Sequence, residues 1–224
     1  MCQHVAYANL VLPCEEIKKE ARFFSLEQVG KIIAAAPEPF KTMFLVLVMT
    51  GTRAGEMLGL QWADIDFAKS LIHIRRSAWY GQTQTTKSKS STAPVPLPEP
   101  LAIALRACQE KWRPNPRGFL FVTRNNRPPS SNKVVEYGLW PVLDALKIPR
   151  CGLHAFRHTH ASLLLDSGAT PKVVQEQLRH ADPRVTLDVY GHVLGDARRD
   201  AVEKVASIVF RNVPKSVEEG KYIQ

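Results

Sequence analysis

A mainly α-helical chain with one small antiparallel β-sheet, an α+β fold, is what the sequence predicts, and three observations carry the prediction. Helix start and stop signals recur along most of the 224 residues. One stretch alone, residues 65 to 97, is β-rich and turn-rich instead. Apolar residues make up 45% of the chain, enough for one substantial core or two small ones, and no internal repeat or low-complexity tract divides it.

Each element has its own local cause. The first 24 residues have weak periodicity, mixed charge and one proline, and read as a linker or the end of an element whose beginning is absent. Ser25-Leu26-Glu27-Gln28 is a capping-box pattern that opens a helix through about Ala36, where Pro37 stops it. A nearly all-apolar helix from about Pro39 to Thr50, ended by Gly51, reads as buried and central. A short helix, Arg53 to Leu60, follows directly. Leu71 to Ile74, a polar Gly81 to Ser91 stretch and Ala93 to Leu97 then predict a small antiparallel sheet with a basic hairpin. Pro98 and Pro100 start a helix to about Trp112, and Phe119 to Val122 is a short strand-like run. From Ser130 the pattern is helical nearly to the end, with start signals at Thr170-Pro171, Asp182-Pro183 and Asp196.

Charge narrows the function. Against 21 acidic residues stand 30 Lys and Arg, a balance of +9 that favours an anionic partner, nucleic acid being the commonest. The excess is segmental. No acid lies between Asp66 and Glu99, which enclose Lys69, Arg75, Arg76, Lys87 and Lys89. None lies between Glu110 and Glu136, which enclose Lys111, Arg113, Arg117, Arg124, Arg127 and Lys133. The rest of the chain holds 19 basic residues against 21 acidic ones. Two solvated loops fit this pattern, and a binding face fits it at least as well. Arg75, Arg76, Lys89, Arg124 and Arg127 are its candidate contacts. Four cysteines without ligand spacing point to a reducing compartment, and the longest apolar run, Met43 to Met49, is far too short to span a bilayer. The chain reads as cytoplasmic.

Three clusters have residue types suited to chemistry. In Thr50-Gly51-Thr52-Arg53-Ala54-Gly55-Glu56, a glycine stop delivers Arg53 to the start of a helix with Glu56 one turn on. An anion-holding Arg and an ordinary surface ion pair both fit, the surface pair better on this segment alone. In His154-Ala155-Phe156-Arg157-His158-Thr159-His160, a proton acceptor and a bidentate cation three residues apart share a face and suit a phosphate. A capping histidine is the plainer reading of His154. Zinc is disfavoured, because no H-E-x-x-H pattern or suitably spaced cysteine accompanies the histidines. The third cluster is Leu178-Arg179-His180 with Tyr190 downstream. Alone, Tyr190 reads as a core aromatic. As a nucleophile its phenol, with a free pKa near 10, needs a base and cations around it.

Together these ordered motifs resemble the catalytic domain of the tyrosine recombinases, the phage-integrase family, from about Ser25 to Phe210. Thr50 to Ile65 fits T-G-x-R-x-G-E-x-L-x-L-x-W-x-D-I, which places the first catalytic Arg at Arg53 and its acidic partner at Glu56. Thr86-Lys87-Ser88-Lys89 matches the β-hairpin lysine motif and nominates Lys87, with Lys89 as its rival. The H-x-x-R-H-T box falls on His154 to Thr159, and the L-G-H box and tyrosine on His180 and Tyr190. The resemblance implies that Tyr190 attacks a scissile phosphate of double-stranded DNA to form a 3′-phosphotyrosyl link. Arg53, Arg157 and His180 would bind the phosphate oxygens, His154 would assist proton removal and Lys87 would protonate the leaving 5′-oxygen. No metal or other cofactor is implied.

The resemblance further implies a monomer without DNA and a homotetramer on it, coupled by an amphipathic helix over 196–210. It divides the chain into a linker or remnant of an N-terminal clamping domain (1–24), a catalytic domain (25–210) and a tail (211–224). Arg179 departs from the pattern, since the family usually has glycine there. A truncated, non-catalytic DNA-binding remnant is the alternative to an enzyme.

Overall fold

The computed structural model describes residues 22–85, 93–179 and 202–203. The expectations placed on Lys87, Lys89, His180, Tyr190, the starts at Asp182 and Asp196 and the helix over 196–210 lie outside those residues, apart from residues 202–203.

Helix α1 (Leu26–Ala35) begins as its capping box requires: the Gln28 amide donates to Ser25 Oγ at 3.2 Å and the Ser25 amide to Gln28 Oε1 at 3.0 Å. Helix α2 (Phe40–Thr50) is buried at Thr42, Met43, Phe44, Val46, Leu47, Val48 and Thr50, so neighbours surround it. Helix α3 (Ala54–Leu58) is shorter than the pattern suggested, because Gly59 closes it and a new turn begins at Gln61, whose amide donates to the Asp64 carboxylate. Strands β1 (Ile65–Asp66), β2 (Leu71–Ile72) and β5 (Val95–Pro96) form an antiparallel sheet in the order β1-β2-β5, with Ile65 opposite Ile72 and Ile72 opposite Val95.

The single sheet expected is in fact two. Among the described residues, strands β3 (Arg76–Trp79) and β4 (Gln82–Thr85) pair with each other and with no other strand. Their turn, Tyr80-Gly81, has φ of 46° and 75°. Positive φ at both central residues matches the right-handed twist of a two-residue hairpin. The strand expected over Phe119 to Val122 reduces to one bridge between Gln61 and Phe119. The Phe119 carbonyl is already taken by Trp112 Nε1 at 2.9 Å and Asn115 Nδ2 at 3.0 Å, so no ladder extends from it.

Helix α4 (Glu99–Glu110) has Pro98 at its N-cap. Helix α5 (Ser131–Val134) runs through a π turn (Val135–Leu139) into α6 (Trp140–Ala145). The helical pattern expected after Ser130 is interrupted at residues 146–153. Lys147 has φ of 56° there, and Pro149 has no amide to continue the ladder. Helix α7 (His154–Asp166) follows, then α8 (Pro171–Leu178), which Thr170 caps through the Val173 amide.

The main core gathers on α2 and α7. Phe156 lies with its ring centroid 5.0 Å from Phe24 and 5.0 Å from Phe44. Leu47, Met57, Leu58, Ile72, Leu101 and Leu105 fill out the same core. A second cluster, Ala161, Val174 and Leu178, fastens α8 to α7. These two clusters hold the C-terminal end of α2, the first turn of α7 and the C-terminal end of α8 against one another.

Candidate anion-binding site

The site begins where α2 ends. Gly51 takes the left-handed conformation (φ 65°, ψ 16°), which turns the chain sharply toward α3. A Cβ there would stand 2.6 Å from His160 Cδ2 and 2.8 Å from Leu178 Cδ2, so α7 and α8 approach the backbone as closely as glycine allows. Two residues on, Arg53 precedes α3. The Glu56 carboxylate caps its backbone amide at 2.8 Å and accepts from Arg53 Nη1 at 2.9 Å. The Arg53 side chain is 40% exposed and that of Glu56 only 4%, so this is a cation at the surface held by a carboxylate in the interior. An ordinary surface ion pair does not describe it.

Arg157, buried on α7, closes the site from behind. Its Nη1 donates to the Gly51 carbonyl and its Nη2 to the Leu178 carbonyl at 2.5 Å, joining the ends of α2 and α8. His154 is the first residue of α7 and its side chain reaches solvent. Desolvation, then the charges of Arg157 and Arg53, push its pKa below 6.5, while Glu56 opposes them. An imidazole so placed stays neutral and can accept a proton. His158 lies beside it, ring centroids 5.8 Å apart, and is likewise shifted down by burial first. His160 turns away into the core, where Nδ1 lies 2.8 Å from the Val48 carbonyl and burial lowers its pKa. The three histidines do not converge on one point.

Arg179 enters the same corner from α8. Only 3% exposed, it caps that helix in the left-handed region (φ 54°, ψ 42°) and reaches Glu56 Oε2 with Nη2 at 2.5 Å. Burial lowers its pKa most, Arg53 adds to the shift and Glu56 opposes it. Sequence reasoning marked Arg179 as a departure and gave it no role. The available signal was a cation standing where glycine is usual, but its partner lies 123 residues away.

The structure therefore brings Arg53, Glu56, His154 and Arg157 together, and adds Arg179. Among the described residues, three guanidinium groups against one carboxylate leave the corner positive, with a neutral imidazole at its rim: a cradle for a phosphate-like anion beside a proton acceptor.

The candidate contacts from the acid-free stretches are placed differently. Arg76 is mostly buried, paired with Asp64 and donating to the Gly59 carbonyl at 3.3 Å. Arg75 meets the same carboxylate at 3.2 Å with half its side chain exposed. Asp64, itself buried, also caps the Gln61 amide at 2.9 Å, so it organises the turn after α3. Arg124 and Arg127 are exposed in a turn closed by the Thr123 amide on the Arg127 carbonyl at 2.8 Å, and Arg127 flanks Gly81 of the β3–β4 turn. Beside it Trp79 and Tyr80 are 64% and 65% exposed, an aromatic pair that sequence reasoning did not single out. Among the described residues no helix is long and apolar enough to cross a membrane.

Comparison with known proteins bears on this arrangement. The model of the phage integrase family matches residues 22–196. The ICEBs1 integrase of Bacillus subtilis strain 168 is 28% identical over 217 residues, covering 88% of this chain and 59% of that protein. A XerC-like tyrosine recombinase of Caldanaerobacter subterraneus subsp. tengcongensis is 31% identical over 218 residues, covering 85% of this chain and 55% of the relative. The chain thus spans less than two thirds of the length of these relatives. Among solved structures, the Tn1549 transposon integrase in complex with transposon right-end DNA superposes with a TM-score of 0.75 at 20% identity, over 86% of this chain and 68% of that one. At that identity the likeness is one of fold.

Proposed function

The chain belongs to the phage integrase family, and from that we propose that it is the catalytic domain of a site-specific recombinase that cuts and rejoins double-stranded DNA through a 3′-phosphotyrosyl intermediate. The observation that carries the reading is the meeting of Arg53, Glu56, His154 and Arg157, from two separate segments, in one positive corner. That corner suits a phosphodiester whose non-bridging oxygens gain charge as a nucleophile attacks.

Tyr190 supplies the nucleophile in this reading. Its oxygen bonds to phosphorus, its proton passes toward His154, and the P–O5′ bond breaks with the leaving oxygen taking a proton from Lys87, Lys89 being the rival donor. One phosphodiester replaces another, so the step needs no metal and no nucleotide. Arg53 and Arg157 hold the phosphate, with His180 as a further donor. Attack by a 5′-hydroxyl of a second duplex reverses the step and exchanges strands. Arg75, Arg76, Lys89, Arg124 and Arg127 are the proposed backbone contacts. Residues 25–210 form the catalytic domain, acting in the cytoplasm, monomeric alone and tetrameric on DNA. The relatives named integrase and recombinase, and the DNA held by the Tn1549 protein, support this reading.

The test is covalent capture. The chain is incubated with nicked duplexes of randomised core sequence, whose cleaved fragment diffuses away, and protein–DNA adducts resistant to SDS are separated. The expected result is an adduct from the wild type with no added metal, and none from Tyr190→Phe. An adduct that survives Tyr190→Phe, or that needs a divalent cation, overturns the mechanism. Binding without any adduct favours the non-catalytic remnant.

A further inference from the structure

Among the described residues, Arg179 is the one buried cation of the site that the proposed mechanism does not use. It is nine-tenths buried and holds a backbone conformation that glycine adopts freely and arginine does not. Its Nη2 donates to Glu56, yet Nε and Nη1 are buried with no hydrogen-bond partner among the described residues. Burying a guanidinium with donors unmet is unfavourable, so its position calls for an explanation beyond helix capping.

The division of the Glu56 carboxylate supplies one. Oε1 accepts from Arg53 Nη1, while Oε2 accepts from the Arg53 backbone amide and from Arg179. A carboxylate and a guanidinium ordinarily close a two-pronged pair, in which Glu56 would take a second N–H of Arg53 and neutralise it. Here Oε2 is shared between the Arg53 amide and Arg179 Nη2, and that closure is not made. Arg53 is held by one prong through Nη1, on a side chain 40% exposed.

Resting on the phosphodiester-cleaving reading, we propose that Arg179 is a positioning residue: by occupying Glu56 it keeps the Arg53 guanidinium open, and its own half-matched charge keeps the corner positive for the scissile phosphate. It acts through Glu56, since its unpaired donors are sealed from solvent.

The test uses the full chain with Arg179→Gly, Arg179→Lys, Glu56→Gln and the double variant Arg179→Gly with Glu56→Gln. Glycine suits the left-handed backbone, so the fold is retained, which circular dichroism and the thermal transition verify. At saturating DNA, Arg179→Gly forms adduct at least tenfold more slowly, and Arg179→Lys recovers part of that rate. The slope of log binding constant against log salt stays at the wild-type value. In the Glu56→Gln background, where no carboxylate remains to capture Arg53, removing Arg179 slows the reaction less than threefold further. A purely structural role gives no such dependence on Glu56.

Three results overturn the proposal: an Arg179→Gly rate within twofold of wild type, full additivity with Glu56→Gln, or a salt slope reduced by about one, which marks a direct phosphate contact. If the wild type itself forms no adduct, the cleavage reading fails, and positioning is then decided without DNA. The Arg53 Nε–Hε NMR signal is followed during titration with inorganic phosphate. Arg179→Gly weakens that response at least threefold if Arg179 holds the fork open; an unchanged response overturns the inference.

Discussion

Gly51→Ala probes the joint on which the whole site rests. At φ 65° a residue with a Cβ costs about 1–2 kcal/mol relative to glycine. The added carbon would also stand 2.6 Å from His160 Cδ2 and 2.8 Å from Leu178 Cδ2, well inside contact distance. Neither neighbour gives way easily. The His160 ring is fixed by its 2.8 Å bond to the Val48 carbonyl, and the Leu178 carbonyl holds Arg157 at 2.5 Å. Overpacking of a fixed core costs about 1–3 kcal/mol, so the substitution loses about 2–5 kcal/mol in all. Urea unfolding followed by circular dichroism reads this as a lower midpoint at unchanged slope, with Tm falling about 4–20 °C. Gly30→Ala is the control. That glycine lies within α1 with nothing within 4 Å of its added Cβ, and alanine there stabilises by about 0.5–1 kcal/mol. A Gly51→Ala loss below about 1 kcal/mol would refute the reasoning, because it would mean that the ends of α2, α7 and α8 slide past one another.

Other outcomes follow from buried charge. Asp64→Asn leaves Arg76 largely buried without its counter-ion and costs about 3 kcal/mol, the low end for a broken buried pair because Arg76 keeps some solvent contact; a thermal shift under 2 °C contradicts this. Folding stability also falls on acidification. His160, 8% exposed, is held below 6.5 chiefly by burial, so the native state binds fewer protons than the unfolded chain. Its contribution is fully present above pH 6.5 and is lost as pH falls through the folded pKa, with a slope of up to about 1.4 kcal/mol per pH unit. Urea midpoints between pH 7.5 and 5 measure that slope, and His160→Gln must reduce it, leaving the part contributed by His154 and His158.

What was legible in the sequence was local. Ser25 with Gln28, the Gly51 stop and the Thr170-Pro171 start each act within a few residues, and each helix begins or ends where those residues direct. Phe119 to Val122 misled because strand formation there depends on what its carbonyls meet, and the side chains of Trp112 and Asn115 meet the first of them. Charge counting shows where the cations lie in sequence but not what they meet. Arg76 sits in an acid-free stretch, and its partner Asp64 lies just before that stretch and folds back onto it. Arg53, Glu56, His154 and Arg157 were readable as a set because each has a fixed motif around it. Arg179 was not, since nothing near it in sequence announces a carboxylate 123 residues away.

The placement of these cations separates two jobs that the net charge of +9 merges. Arg124 and Arg127 are exposed, so their attraction to an anion is long-ranged and screened over about 8 Å at physiological salt. Arg157 and Arg179 are 4% and 3% exposed, where salt cannot reach them and each contact counts for more. Neither belongs to the acid-free stretches after Asp66 and after Glu110. On the proposed reading, the exposed set draws an anion to the surface without selecting its geometry, and the buried set, fixed to backbone carbonyls and to Glu56, sets the geometry without reaching far into solvent. Arg53 joins the two, rooted on a buried carboxylate with its fork partly in water. A substitution at Arg53 therefore removes both attraction and geometry, whereas one at Arg124 removes attraction alone.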